Sequence, residues 1–185
     1  MIITLTGKPC SGKSTIADYL VKKHGFVKIG VGDMFKAEAK KRNMSAEEFN
    51  ALCLKDPSYD YFIDNKTKEL GKELEGQKYI FDSRLAWHFV PKSFKVYVDV
   101  NEEEMVKRLV LSDRVGKEKY ETPEEAKKTL LNRRALENER YKKIYGVDIE
   151  DLNNYDFVLD TSFDPPETNA KKLWAAYQNF CKKNK

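Results

Sequence analysis

Residues 7–14 read Gly7-Lys8-Pro9-Cys10-Ser11-Gly12-Lys13-Ser14, with Thr15 next. A glycine, four variable positions and then Gly-Lys-Ser is the spacing of a loop that wraps a nucleoside triphosphate's phosphates. The glycines let the backbone turn tightly and aim N–H groups at an anion. A following helix adds the positive end of its dipole. Lys13 is expected to reach the β- and γ-phosphates, and the Ser14 hydroxyl to hold Mg²⁺. Lys8 has two readings, a phosphate contact or a solvated surface charge. Cys10 has two as well: a thiol made reactive by Lys13 and the amide nest, or a small filler inside the loop.

Further along, Asp82 and Arg84 sit at the close of an apolar run, where a parallel sheet collects its ligands. Arg108 and Arg114 flank the end of a helical pattern. Arg133, Glu137 and Arg140 share one helical stripe, i, i+4 and i+7. Guanidinium groups suit phosphoryl oxygens because they bind two at once. That stripe is either a phosphate grip or a surface ion-pair ladder. Arg134 lies off it and is assigned no role. The string Asn65-Lys66-Thr67-Lys68 lacks the aspartate that an Asn-Lys-x-Asp guanine reader needs. Asp60 and Asp64 either accept from a cytosine amino group or are solvated helix charges.

These groups need a frame. Short apolar runs at 1–6, 26–29, 78–81, 94–100 and 157–160 alternate with longer helical patterns, which predicts a parallel sheet wrapped by helices. The first helix runs over 13–24 on the spacing of Ile16, Ala17, Leu20 and Val21, with Gly25 as its stop. Residues 32–75 are helical throughout. Ser45 and Glu48 form a capping box with Met44 as its staple, and Asp56-Pro57 divides one helix from the next. Thr122-Pro123-Glu124-Glu125 starts another helix, preceded by a charged tip at 116–121. A last helix from Pro166 to about Lys183 carries Leu173, Trp174, Tyr177 and Phe180 on one face.

The chain has 185 residues, 41 % of them hydrophobic and 35 % charged, with a net charge of +4. That is a globular domain's balance. No apolar run reaches the roughly 18 residues of a membrane helix, and the N-terminus has no secretory pattern. Cys10, Cys53 and Cys181 are scattered and odd in number, which points to a reducing, cytoplasmic setting. With two histidines they make no zinc cluster. Basic and acidic residues alternate instead of gathering on one face, so no stable nucleic-acid partner is expected.

Four colinear segments carry a family resemblance: the phosphate loop; 32–36 with 44–50; Asp82-Ser83-Arg84-Leu85-Ala86; and Arg140 through Ile149 leading to 155–162. The chain resembles the nucleoside-monophosphate kinases, above all the archaeal-type cytidylate kinases. The resemblance implies a P-loop NTPase α/β fold with a five-stranded parallel sheet in the order 2-3-1-4-5. It implies a single domain with a core of 1–31, 76–114 and 146–185, an acceptor-binding insertion at 32–75, and a lid with its helix at 115–145. The implied reaction is Mg²⁺-dependent transfer from ATP to CMP or dCMP by a monomer. ATP would contact residues 7–15, Arg108 and Arg114. Lys13, Arg84, Arg133 and Arg140 would act in catalysis, and Ser14 and Asp82 would serve the metal. Asp33, Lys36, Asp60, Asp64 and Arg84 would face the acceptor. Three positions depart from the family: Lys36 replaces an arginine, Ser83 a glycine that leaves room for substrate, and Asp82 a common glutamate. The rival readings are another P-loop small-metabolite kinase, acting on a different nucleotide, dephospho-coenzyme A or shikimate, and a non-catalytic nucleotide-gated binding protein.

Overall fold

The computed structural model describes residues 1–56, 58–111 and 122–184. Arg114 and the charged tip at 116–121 lie outside the described residues, as does Pro57.

Five strands form one parallel sheet: β1 (Ile2–Gly7), β2 (Val27–Gly30), β3 (Tyr79–Asp82), β4 (Ser93–Asp99) and β5 (Phe157–Asp160). Their order is β2-β3-β1-β4-β5, the order the family resemblance implies. β1 is central and every one of its residues, Thr4 and Thr6 included, is buried, as in a strand covered on both faces. It pairs with β3 through Leu5 opposite Asp82, and with β4 through Gly7 opposite Val98. The carboxyl ends of all five strands therefore emerge at one edge, at Gly7, Gly30, Asp82, Asp99 and Asp160.

The helices are α1 (Lys13–His24), α2 (Val31–Lys41), α3 (Ala46–Lys55), α4 (Ser58–Glu73), the short α5 (Ala86–Phe89), α6 (Glu102–Leu111), α7 (Pro123–Tyr145) and α8 (Pro166–Lys183). On one face of the sheet, α1 and α8 bury Ile16, Leu20, Leu173 and Tyr177 against Ile3, Leu5, Val96 and Val98. On the other face Phe81, Ala86 and Val90 pack with Ile2, joined by Leu70 of α4 and Leu74 just after it. Helices α2 to α4 carry a small core of their own, in which Ala39, Phe49 and Cys53 are covered by Phe35, Met44 and Tyr59.

The predicted helix signals act as expected. Gly25 ends α1 in the left-handed region, its N–H donating to the Val21 carbonyl. The Ser45 hydroxyl accepts from the Glu48 N–H at 3.1 Å, and the Glu48 carboxylate accepts from the Ser45 N–H at 2.7 Å. Thr122 caps α7 by accepting from the Glu125 N–H at 3.2 Å. Four of the predicted strands are shifted by one residue, because their limits are set by the ladder with the neighbouring strand and not by local apolarity. Gly71, in the middle of α4, looks like a weak point in a helix. A Cβ there would lie 2.6 Å from Val90 Cγ2, so its smallness lets α4 sit close to α5 and the turn after it.

Candidate active site

The loop between β1 and α1 is held by close backbone packing. Gly7 has φ +144°, and a Cβ there would lie 2.0 Å from the Val98 carbonyl oxygen. The Lys8 N–H donates to that same carbonyl at 3.1 Å. Gly12 has φ +82° and opens α1 without a side-chain cap, and no acidic residue occupies the first turn. An anion facing this helix end meets N–H groups free of a competing side chain. Cys10 takes a positive φ of 56°, unusual for a residue with a side chain,. Its carbonyl accepts from Arg108 Nη1 at 3.2 Å.

Lys13 folds back over the loop. Its ammonium donates to the Gly7 carbonyl at 3.2 Å and to the Lys8 carbonyl at 3.0 Å. Burial lowers its pKa from 10.5 to about 8; the positive charges of Arg134 and Arg84 push the same way, and Asp82 opposes them. Ser14 donates its hydroxyl proton to Asp82 Oδ2 at 3.0 Å. A hydroxyl and a carboxylate that close together are hard oxygen ligands of the kind Mg²⁺ takes, one or two at a time beside its waters. No cluster of three or more metal-binding side chains occurs among the described residues.

The segment after β3 is held just as firmly. The Ser83 N–H donates to the Leu5 carbonyl at 3.0 Å. The Ser83 hydroxyl accepts from the Leu85 and Ala86 N–H groups, each at 3.2 Å, so it is turned into its own backbone. The Arg84 carbonyl accepts from the Thr6 hydroxyl and from Trp87 Nε1, each at 3.1 Å. The Arg84 side chain forms an ion pair with Glu137 of α7. Burial lowers its pKa to about 10, and Arg133, Arg134 and Arg140 add to that while Tyr141 opposes it. Arg133, Arg134 and Arg140 thus act on Arg84, and Arg84 and Arg134 act on Lys13. Lys13 and Arg84 are both lowered by burial with a further push from neighbouring cations, and a place that disfavours a cation favours an anion,.

The remaining sequence-predicted residues separate into two groups. Arg108 lies with the loop: Nη2 donates to the Thr161 carbonyl at 2.6 Å, Nη1 reaches the Thr161 hydroxyl at 3.1 Å, and Nε pairs with Glu104 at 3.0 Å. It lines a cavity of about 480 Å³ with Gly12, Thr15, Thr161, Phe163 and Pro165. Lys8 is held elsewhere: its ammonium sits 2.8 Å from Asp99 Oδ1 and donates to the Val100 carbonyl at 3.3 Å. On the insertion, Asp33 and Lys36 are exposed on α2 with 3.8 Å between them. Asp60 lies on α4. Asp64, also on α4, accepts from the Tyr145 hydroxyl at the end of α7. Arg133 is exposed, while Arg140 is half-buried over the Tyr141 ring at 5.5 Å.

A model of the AAA domain matches residues 3–153. The cytidylate kinase of Methanocella arvoryzae is 36 % identical over 162 residues, 88 % of each chain. That of Pyrococcus abyssi is 33 % identical over 168 residues, 90 % of this chain and 88 % of its own. The chain belongs to the cytidylate kinase family. Solved structures that share its fold include an uncharacterized protein from Eubacterium ventriosum, with a TM-score of 0.70 at 12 % identity over 95 % of this chain and 96 % of that one. Another is the shikimate kinase of Bacteroides thetaiotaomicron, with a TM-score of 0.61 at 12 % identity over 96 % of this chain and 98 % of that one.

Within this cytidylate kinase family member, the structure adds residues that sequence reasoning passed over. Thr161, just past β5, has its hydroxyl 2.9 Å from the carbonyls of both Ser11 and Asp99, tying the phosphate loop to the far side of the sheet. Arg134, left unassigned, is among the most buried charged side chains described, at 4 % exposure. Its Nη1 donates to the Gly7 carbonyl at 2.7 Å. The signal was present in the sequence: Arg134, Asn138, Tyr141 and Tyr145 recur at i, i+4, i+7 and i+11, a second helical stripe.

Proposed function

We propose that this protein transfers the γ-phosphoryl group of ATP to CMP or dCMP, giving ADP and CDP or dCDP. The observation that carries the reading is the convergence of Lys13, the Ser14–Asp82 pair and four arginines at one sheet edge, in a chain whose curated relatives are cytidylate kinases. The loop of residues 7–15 would hold the donor phosphates through its backbone N–H groups, with Lys13 leaving the Gly7 and Lys8 carbonyls to meet them. The donor base would enter the cavity beside Arg108 and Thr161. Ser14 and Asp82 would hold Mg²⁺, which when bound neutralises phosphate charge.

Arg84 would grip the acceptor phosphate, a role that requires it to exchange Glu137 for the ligand. Lys36 and Asp33, at the mouth of α2, would meet the acceptor's outer side. Asp60 and Asp64 lie on the insertion helix where an exocyclic amine could be read, and Asp64 already has the Tyr145 hydroxyl as a donor. Arg133 and Arg140 would add their charge as the lid, 115–145, closes over the insertion, 32–75. No covalent intermediate is required: the acceptor phosphate attacks directly, and the protein supplies placement and positive charge. We expect a cytoplasmic monomer with no stable nucleic-acid partner; no helix among the described residues is long and apolar enough to cross a membrane.

Side-by-side phosphorylation of CMP, dCMP, UMP, AMP and GMP tests the reading. CMP or dCMP is expected to give the highest kcat/KM. If AMP or GMP is faster by tenfold, phosphoryl transfer stands and the cytidylate acceptor does not.

A further inference from the structure

Arg134 projects from α7 into the protein, towards the root of the phosphate loop. All three of its nitrogens are engaged. Nη1 donates to the Gly7 carbonyl at 2.7 Å, Nη2 donates to the Tyr97 hydroxyl at 3.1 Å, and Nε pairs with Glu150. Tyr97 in turn donates its hydroxyl proton to Glu150 Oε2 at 2.8 Å. The guanidinium also lies over the Tyr97 ring, 5.7 Å from its centre. Tyr97 belongs to β4 and Glu150 to the turn before β5, so the arginine is fixed by two elements besides its own helix.

The Gly7 carbonyl has a second donor. Lys13 Nζ contacts it at 3.2 Å. Once a donor nucleotide arrives, that ammonium has to turn to the phosphates. Gly7 is buried, and its peptide cannot turn aside, because Val98 fills the space next to its Cα. Without another partner, the departure of Lys13 would strand a buried carbonyl, and such a group costs more than a hydrogen bond gains. The Arg134 guanidinium remains on that carbonyl whichever way Lys13 points.

We propose that Arg134 is a positioning residue for the donor: it keeps the Gly7 carbonyl satisfied, so that Lys13 is released to the phosphates at no loss to the loop. The role is served through the loop and not by contact with the nucleotide. It is distinct from that of Arg133 and Arg140 on the same helix. It deepens the phosphoryl-transfer reading and rests on it only for its effect on turnover.

The test is calorimetric titration of ADP and, separately, of CMP into the whole protein, together with steady-state turnover and a melting curve for each variant. Arg134→Met keeps the apolar bulk and removes the donor. It is expected to weaken ADP binding by roughly 10- to 100-fold, the range for losing a charge-assisted hydrogen bond, while CMP affinity changes by less than about threefold. Arg134→Lys, whose ammonium can still donate to one carbonyl, is expected to recover part of the ADP affinity. Asn138→Ala is the structural control. Asn138 anchors the same helix by donating to Asp148 at 2.8 Å and accepting from the Ile149 N–H at 2.9 Å, away from the phosphate loop. It should lower the melting temperature and leave ADP affinity alone. The proposal is overturned if Arg134→Met binds ADP as the wild type does, or if it loses ADP and CMP affinity equally, in step with stability, as a merely loosened helix would. Should Arg134→Met fail to fold, Glu150→Gln decides: it keeps the guanidinium but slackens its hold, and an unchanged ADP affinity there also overturns the proposal. Wild-type protein that binds ADP yet phosphorylates no nucleoside monophosphate would sink the functional reading while leaving these binding comparisons intact.

Discussion

Lys13 is held in a place that disfavours its charge. Burial beside Arg134 and Arg84 lowers its pKa to about 8 from 10.5, against the pull of Asp82. Between those values the unfolded chain binds more protons than the folded one, so this group makes stability rise with pH across that window. At pH 7 the folded protein therefore carries a strained charge. Lys13→Met is expected to melt higher than wild type without nucleotide and to lose roughly 10²-fold or more in kcat. Bound phosphates should restore the ammonium. ADP binding at about pH 8.5 is then expected to take up protons in wild type and not in Lys13→Met, read by calorimetry in two buffers of different ionisation enthalpy. Near-wild-type turnover in the variant would end the phosphoryl-transfer reading.

Two other arginines separate at the same scale. Arg84 has its backbone fixed by Thr6 and Trp87 and its side chain on Glu137, ready for exchange. Arg140 rides on α7 over Tyr141. Arg84→Ala should weaken binary CMP affinity by about 10- to 150-fold, the worth of charge-assisted contacts. Arg140→Ala should leave CMP affinity closer to normal and lower kcat instead, as expected of a contact that forms towards the transition state. Equal losses of CMP affinity in the two variants would contradict a division between a fixed grip and a closing helix.

At the scale of elements, the insertion of α2 to α4 has a separate small core and its own capping box, so it can loosen without unfolding the sheet,. Ser45→Ala removes one cap acceptor and leaves the Glu48 carboxylate with a weaker reason to stay. It should cost about 1 kcal/mol, expressed as faster hydrogen exchange in α3. The accompanying change should be a raised KM for CMP with unaltered ADP affinity, since the donor loop hangs from β1 and packs on β4 and β5. A matching loss of ADP affinity would mean that the insertion and the core move as one unit.

For the whole molecule, the sheet sorts its ligands by strand order. The phosphate loop, Arg108 and Thr161 gather where β1, β4 and β5 end, whereas Arg84 and the insertion follow β3 and β2. α7 spans both sides, through Arg134 to Gly7 and through Tyr145 to Asp64. Ligands that bind the folded chain stabilise it by mass action: at 100 times its Kd a ligand adds about 2.7 kcal/mol, or roughly 5–10 °C in a domain of this size. ADP is expected to produce that shift in differential scanning, and CMP a separate one. If neither moves the melting temperature at saturating concentration, nucleotide binding at this edge is refuted.

The phosphate loop, α1 and its Gly25 stop, the Ser45–Glu48 box and the Thr122 cap were all readable from the amino-acid order. The helix stop, the box and the cap depend on contacts within a few residues, so local geometry decides them, whereas the phosphate loop was legible by its spacing and is held by distant partners. The short apolar run at 1–6 likewise announced a strand. Strand order followed from resemblance, because apolarity says that a strand is buried and not which strand lies beside it. The tertiary structure alone decided what the charges touch. Arg134 meets a carbonyl 127 positions away, and helical spacing ranked it below Arg133 because periodicity tells which residues share a face, not which face turns inward. Lys8 rests on Asp99, Arg84 on Glu137, and the Ser83 hydroxyl serves its own turn. A long charged side chain reaches several ångströms in any direction, so its partner is fixed only when distant elements have packed.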